Sequence, residues 1–268
     1  MSDQDSSIVK AEEQAWQNRH GGALQESAYG RPGTQLVLQR QFARIADALR
    51  LRPQQRVLDL GCGVGHLLSW LEEQAPAEYY GLDLSAASVA SARSFTPNGR
   101  FLVGDAEQLP YRTESFDRVI FNGSAHHLLN LGQALREVYR VMTPGGRIVL
   151  FEPIATPITS AIRRAVLRTS KYESPADLAH KEDLSRRRLE QDLDGAGFAA
   201  IVSSPCESLA YPLSGMYINL PFGRSRAIME RLLRLESRLE GSSRFRPLLD
   251  QLSWRLLVIA DKTPPDDV

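Results

Sequence analysis

The chain has 268 residues, 43% of them hydrophobic and 24% charged, and its 32 basic and 32 acidic side chains cancel. That is enough apolar sequence for a packed core in one large domain or two small ones, and too much for a disordered chain. A protein living on phosphate contacts would carry a basic excess, so nucleic-acid binding is not expected as its main role.

The first residues, MSDQDSSIVKAEEQ, lack the basic and apolar blocks of a secretory signal. Residues 1–33 are polar and close on the turn-rich Tyr29-Gly30-Arg31-Pro32-Gly33. A helix follows, with Leu38, Phe42, Ile45 and Leu49 on one face. Arg56–Leu60 reads as a buried strand, then a glycine loop and a helix through His66–Gln74. Tyr79–Leu84 is the next strand, with Ser85 placed to cap the helix behind it. Phe101–Val103, Phe116–Phe121 and Arg147–Phe151 continue the strand series. Between the last two, Leu131, Leu135, Val138 and Met142 form a helical stripe that Pro144-Gly145-Gly146 ends. Leu189, Leu193 and Ala196 mark a helix stopped by Gly197, Phe198–Ser203 a strand, and Trp254–Ala260 a last strand. Within the insert before it, Ile228, Leu232, Leu235 and Leu239 predict an amphipathic helix. Short apolar strands alternating with helices predict an α/β fold, a parallel sheet covered on both faces. No stretch offers the ~18–20 apolar residues of a membrane span, and the expectation is a soluble cytoplasmic protein.

The most informative segment is Val57-Leu58-Asp59-Leu60-Gly61-Cys62-Gly63-Val64-Gly65. A strand running into close glycines lets backbone approach a ligand, and the next helix aims its free N–H groups at the same place. Asp83, ending the following strand, stands where an acid accepts both hydroxyls of a ribose. The third glycine comes one residue too early for a dinucleotide fingerprint, and His66 takes the expected position. Asp59 would repel a pyrophosphate but suits an ammonium group. A ribose with an aminoacyl tail and no phosphate fits both departures, and S-adenosylmethionine (SAM) is such a ligand. Cys62 and Cys206 cannot make a disulfide framework or a four-ligand zinc site.

The sequence resembles the class I SAM-dependent methyltransferases, in the branch that holds ubiquinone- and menaquinone-biosynthesis enzymes and many natural-product enzymes. The resemblance rests on VLDLGCGVG at 57–65, GLDLS at 81–85, GDAEQLPY at 104–111, SFDRVIFNGSAHHL at 115–128 and LREVYRVMTPGGRIVLFEP at 135–153. It implies a Rossmann-like sheet of seven strands, mostly parallel with one reversed, helices on both faces, and helical inserts forming a lid. It also implies SAM as cofactor and S-adenosylhomocysteine as product. Gly61, Gly63 and Gly65 would pass close to the methionine and ribose, and Asp59 would hold the amino group. Asp83 would bind the ribose hydroxyls, with Leu84 packing on adenine. Asp105 would accept from the exocyclic amine, and the Ala106 backbone would donate to the ring. Asn122 would open the loop lining the methyl-transfer cavity.

Methyl transfer from a sulfonium is an in-line displacement, so proximity and alignment come first. A base matters only where the acceptor must lose a proton. His127 and, after it, His126 are the candidate bases, since imidazole chemistry operates near neutral pH; one of them could equally hold the loop. A metal site is not expected, because adjacent histidines should point apart and no carboxylate or thiol cluster accompanies them. Tyr29, Tyr172, His180 and Tyr211 stand in reserve, and Glu152 could meet an acceptor or merely solvate its strand end. The arginine runs at 163–164 and 186–188 are expected to be solvated helix faces, and Asp117 a strand-start residue without a role in the site.

The expected organisation is an N-terminal helical lid over residues 1–39 and a methyltransferase domain over 40–268. Inserts 153–183 and 205–252 would cap the acceptor. Pro153–Ile162 and Ser208–Gly223 lack charge, which suits an apolar small molecule such as a phenol or quinol, a polyketide or a lipid. Ordinary packing explains the same residues, and the inserts could support a homodimer as readily as a lid. Two other functions remain open: a nicotinamide (NAD)-dependent oxidoreductase, opposed by the glycine spacing and Asp59, and a SAM-binding protein that transfers no methyl.

Overall fold

The computed structural model describes residues 8–19, 30–154, 156–166, 184–214 and 221–264. In chain order the elements are α1 (8–19), α2 (Pro32–Leu49), β1 (Arg56–Leu60), α3 (His66–Gln74), β2 (Glu78–Asp83) and α4 (Ala86–Phe95). Then come β3 (Arg100–Val103), β4 (Phe116–Asn122), α5 (Leu131–Val141), β5 (Met142–Pro153) and α6 (Pro157–Val166). The last part holds α7 (Arg186–Gly195), β6 (Ala199–Cys206), α8 (Ala210–Leu213), α9 (Arg226–Glu240), α10 (Arg246–Leu252) and β7 (Arg255–Asp261). One helix, α2, runs without a break across residues 39 and 40.

The seven strands form one sheet in the order β3-β2-β1-β4-β5-β7-β6. Every neighbouring pair is parallel except those of β7, which runs antiparallel to both β5 and β6. Successive side chains of a strand face opposite sides, and here both sides are buried. Leu58, Leu60, Phe121 and Leu150 pack with α5 and α7, while Val57, Ile120, Val149 and Phe151 pack with α2, α3 and α4. This double burial explains why the strands read as apolar runs rather than alternations. The strand order reverses between β1 and β4, which opens a cleft outside their carboxyl ends.

Two expectations need correction. Pro144-Gly145-Gly146 does not end a helix ahead of a separate strand; β5 starts at Met142, and these residues bulge out of it. Met142 pairs with Phe116 and Arg147 with Arg118, so the extra residues loop out of register. The bulge is pinned by the Gly145 N–H donating to Lys262 O at 2.8 Å. The apolar face expected on α9 is also turned. Met229 and Glu236 are buried with Leu232 and Leu233 packed beside Met229, while Ile228 and Leu235 lie outside. The cause is the partner: α2 presents Arg40 and Arg44, which pair with Glu236 and Glu240 at 2.6–2.7 Å. Leaving a buried carboxylate such as Glu236 without its arginine costs about 3–5 kcal/mol, enough to compete with burying two aliphatic chains. These contacts, with Val37, Ala210, Tyr211, Met229 and Trp254, bind the insert after β6 to α2 as a cap.

Candidate functional site

The glycine loop leaves β1 with the N–H groups of Gly61 and Cys62 both donating to Leu82 O, at 2.7 and 3.1 Å. Gly61 has φ +70°, and a Cβ there would come 2.4 Å from Cβ of Ser124. Ser124 in turn donates through Oγ to Leu60 O at 2.6 Å. Gly65 starts α3 at φ +85°, where a Cβ would press on Ala92 of α4 at 3.0 Å. Glycine is thus demanded at both ends of the loop by packing and by left-handed backbone.

Two carboxylates flank the loop. Asp83 accepts from Gly63 N through Oδ2 and from Ser85 N through Oδ1, both at 2.8 Å. Burial pushes its pKa up and those two N–H groups oppose the rise. Each oxygen keeps a second lone-pair site for a ligand. Asp59 is 2% exposed, and its Oδ1 has no hydrogen-bond partner among the described residues. Burial, and then the charge of Asp83, push its pKa up to about 8. A carboxylate this deep with an unused oxygen is costly unless a donor or cation reaches it. The Cys62 thiol is also driven well up, by burial and then by Asp59 and Asp83, which leaves it unreactive.

Helix α1 lies across the far end of the cleft. Lys10 Nζ reaches Asp105 Oδ2 at 2.7 Å and Glu107 Oε2 at 2.6 Å. Gln14 donates to Leu84 O at 2.9 Å, and Asn18 Oδ1 accepts from Ser85 Oγ at 2.7 Å. Lys10, Gln14 and Asn18 stand at i, i+4 and i+8, on one face. Asp105 Oδ1 accepts from Glu107 N at 2.8 Å, and Ala106 is buried between them. A crevice of about 310 Å³, open to solvent, remains between α1 and Leu84, Asp105, His127 and Leu129.

At the end of β4, Asn122 Oδ1 accepts from Arg255 at 3.4 Å. The chain then passes through Gly123 and Ser124 into a single 3-10 turn, Ala125–His127. Contrary to expectation the two histidine rings do not point apart: their centroids are 4.0 Å from one another, the rings tilted by 39°. Their neighbours differ. His126 Nδ1 lies 2.9 Å from Glu152 Oε2, whereas His127 Nδ1 is 3.8 Å from Glu13 of α1. Glu152 is fully buried, and its Oε1 accepts from Ser124 N and Ala125 N at 3.1 Å. Burial pulls this carboxyl up, but His126, Ala125 N–H and Arg255 together hold it below its ordinary value.

The structure therefore brings Asp59, Gly61, Gly63, Gly65, Asp83 and Leu84 to one end of the cleft mouth. Asp105, Ala106 and His127 lie under α1, and Asn122 and His126 stand at the end of β4. Tyr211 is buried in the cap against Arg255; Tyr29, Tyr172 and His180 fall outside the described residues. Arg186 and Arg188 pair with Glu190 and Asp192 on an exposed face, and Asp117 ties β1 to β4 by accepting from Arg56 N at 2.8 Å. The contributions of Lys10, Gln14, Asn18, Glu107, Ser124 and Arg255 were not read from the sequence. For α1 a signal existed in the i, i+4, i+8 polar face.

Comparison with known proteins gives the same picture. The family model described as a methyltransferase domain matches residues 58–150. The chain is 31% identical over 216 residues to a malonyl-[acyl-carrier protein] O-methyltransferase of Halorhodospira halophila, covering 75% of this chain and 72% of that one. It is 37% identical over 114 residues to the demethylmenaquinone methyltransferase of Thermus thermophilus, covering 41% of this chain and 52% of that one. With other curated relatives the chain spans about half of their length, 54% and 49% in two of them. In fold it is similar to a Haemonchus contortus phosphoethanolamine N-methyltransferase 2 solved with S-adenosyl-L-methionine, at TM-score 0.64 and 17% identity over 94% of this chain and 60% of that one. Sheet order, glycine loop and a relative matched over most of both chains agree: the chain belongs to the class I SAM-dependent methyltransferase family.

Proposed function

We propose that the chain transfers a methyl group from SAM to a small-molecule acceptor with an apolar body. The observation that carries this reading is the buried, unpartnered Oδ1 of Asp59 beside a glycine loop. A cationic amine is the ligand group that such an oxygen lacks, and a dinucleotide pyrophosphate would be repelled there. The residues present fit the cofactor: Asp59 for the amino group, Asp83 for the ribose hydroxyls and Asp105 for the exocyclic amine. The glycines at 61, 63 and 65 would keep the wall thin, with Leu84 and Ala106 along the adenine and Asn122 by the methyl group. When bound, the cofactor supplies an activated methyl on a sulfonium.

The chain's own work is alignment, desolvation and movement of one proton. Glu152, held below its ordinary pKa by His126, the Ala125 N–H and Arg255, accepts a hydrogen bond from the Nδ1–H of His126, which leaves the Nε2 lone pair free to accept a proton from a hydroxyl. His126 is therefore the better candidate base, Glu152 its positioning residue, and His127 a link to α1 through Glu13. The crevice beside His126 is walled by Leu128, Leu129, Leu131 and Leu184 together with Arg188. With the uncharged stretches of both inserts, those walls suit a phenol- or quinol-like ring. Helix α1 acts as the lid, and its Lys10 holds the position on Asp105 that an exocyclic amine would use.

Titration calorimetry with SAM, and separately with NADH, tests this directly. Micromolar binding of SAM is expected, with no response to NADH. Asp83→Ala should weaken SAM binding by about 1.5–3 kcal/mol, the worth of a charged hydrogen bond. A labelled-methyl assay on apolar phenols and quinols should then find turnover. An NADH response, or unchanged SAM affinity in Asp83→Ala, would sink the assignment.

A further inference from the structure

The rotation of α9 that buries Glu236 and Met229 leaves an outer stripe with no role in the fold. Ile228, Arg231, Leu235 and Arg238 stand at i, i+3, i+7 and i+10, so they line one side of the helix, and all four are exposed. Arg224 precedes the stripe and is exposed too. Ile228 is 41% and Leu235 47% open to solvent. Phe222, just before the helix, and Phe245 and Leu248, just after it, are equally exposed. Arg224, Arg231 and Arg238 make no ion pair with another described residue.

Charge is distributed as unevenly as apolar surface. The chain as a whole is neutral, yet residues 222–248 contain seven arginines and three glutamates, with Arg246 paired to Asp250 just beyond at 3.0 Å. Two of the three, Glu236 and Glu240, are turned inward onto Arg40 and Arg44. Glu230 is the remaining acid, shared between Arg226 at 2.9 Å and Arg234 at 4.0 Å. The outer face of the cap is thus basic and apolar in alternation.

Each candidate occupant must satisfy both features. A second copy seated by the same stripe would set arginine against arginine. A nucleic acid would meet the arginines and leave Ile228, Leu235 and the two phenylalanines against phosphate. An anionic bilayer accepts both at once: guanidinium groups lie at the headgroup phosphates while aliphatic and aromatic chains enter the acyl boundary. No helix among the described residues is long and apolar enough to cross a membrane, so such contact would lie in the surface plane. We infer that the outer face of α9, with the residues flanking it, docks the protein on an anionic lipid surface.

Co-sedimentation of the full chain with vesicles tests this. Phosphatidylcholine vesicles should leave the protein in solution, and vesicles with one quarter phosphatidylglycerol should carry it down. Arg231→Glu with Arg238→Glu should cut the partition at least roughly tenfold, since each arginine near such a surface contributes about fivefold. Ile228→Ser with Leu235→Ser should cut it by a similar factor, and both doubles should keep the wild-type melting temperature and SAM affinity. Equal partition onto both vesicle types, no partition onto either, or wild-type partition in either double would overturn the proposal. So would retention by an acidic protein surface in the absence of any vesicle binding.

Discussion

Asp59 and Glu152, both buried, illustrate two uses of a carboxyl group. Asp59 has a pKa pushed up to about 8, so near pH 7 its carboxyl is mostly protonated. A ligand ammonium that favours the carboxylate must displace that proton. Calorimetry at pH 7 in two buffers of different ionisation enthalpy should therefore report release of about one proton per SAM bound. Asp59→Asn should abolish the release and weaken binding; release that survives the substitution would place the proton elsewhere. Beside Glu152, His126→Ala should lower kcat by roughly a hundredfold or more while leaving SAM affinity near wild type. Glu152→Gln should lower kcat without raising KM, and His127→Ala should do neither as strongly. Equal losses at His126 and His127 would assign both rings to the loop. The placement of the cofactor-side candidates around one loop was legible because the glycine loop and strand-terminal acids are local patterns. The His126–Glu152 pair was not, since the β4–β5 register, Asn122 opposite Phe151, is what joins residues so far apart in sequence.

Helices show where periodicity suffices and where it does not. For α2 and α5 one face meets an apolar sheet, and the stripes Leu38, Phe42, Ile45, Leu49 and Leu131, Leu135, Val138 are buried as expected. For α9 the partner surface carries arginines, and the helix turns to satisfy them at the expense of Ile228 and Leu235. Hydrophobic spacing alone cannot foresee that, because the competing charges lie about two hundred residues away. Helix α1 invites a functional test. Lys10 is partly exposed and its two ion pairs are modest, yet one of them occupies Asp105. Lys10→Met should tighten SAM binding by up to roughly fivefold, measured at low salt, and added salt should mimic the substitution in the wild type. Weaker binding in Lys10→Met would make the lysine part of the cofactor's seat and not its competitor.

For the molecule as a whole, the parallel sheet and the double-sided core follow from alternating apolar strands and helices, and the family resemblance extends that to seven strands with one reversed; the strand order comes from the structure. What the pattern does not carry is the internal charge balance. Asp59 and Glu207 are buried acids raised to about 8 and about 7, Glu207 by burial against the pull of Arg255 and Gln41. A raised acid stabilises the fold fully below its unfolded value, and that contribution is lost as pH climbs through the folded one. Here the window runs from the ordinary 3.8 and 4.5 to about 8. Glu152 acts in the opposite sense, losing its contribution as pH falls. The melting temperature of the free protein should thus drop by roughly a few degrees between about pH 5 and about pH 8.5. Glu207→Gln and Asp59→Asn should each flatten the profile, and bound SAM should remove the Asp59 share. A profile unchanged by both substitutions would locate the titration in other groups.

The reversed strand gives the cap a particular kind of independence. Because β7 runs against β6, Cys206 and Arg255 sit opposite each other in the ladder, and paired antiparallel residues are only about 5 Å apart. The chain departs for the cap and comes back through the same doorway. A segment between 207 and 254 could be exchanged for that of a relative, or shortened, without moving a strand or a cofactor residue. The graft must match α2, where Gln41 donates to Glu207, Thr34 donates to Ser214 O, and Val37 packs with Ala210 and Met229. It must bring acids to meet Arg40 and Arg44 on α2, or those arginines must be traded along with it. The proposed acceptor cap is then a cassette, interchangeable in evolution and in the laboratory at the cost of the residues that match α2.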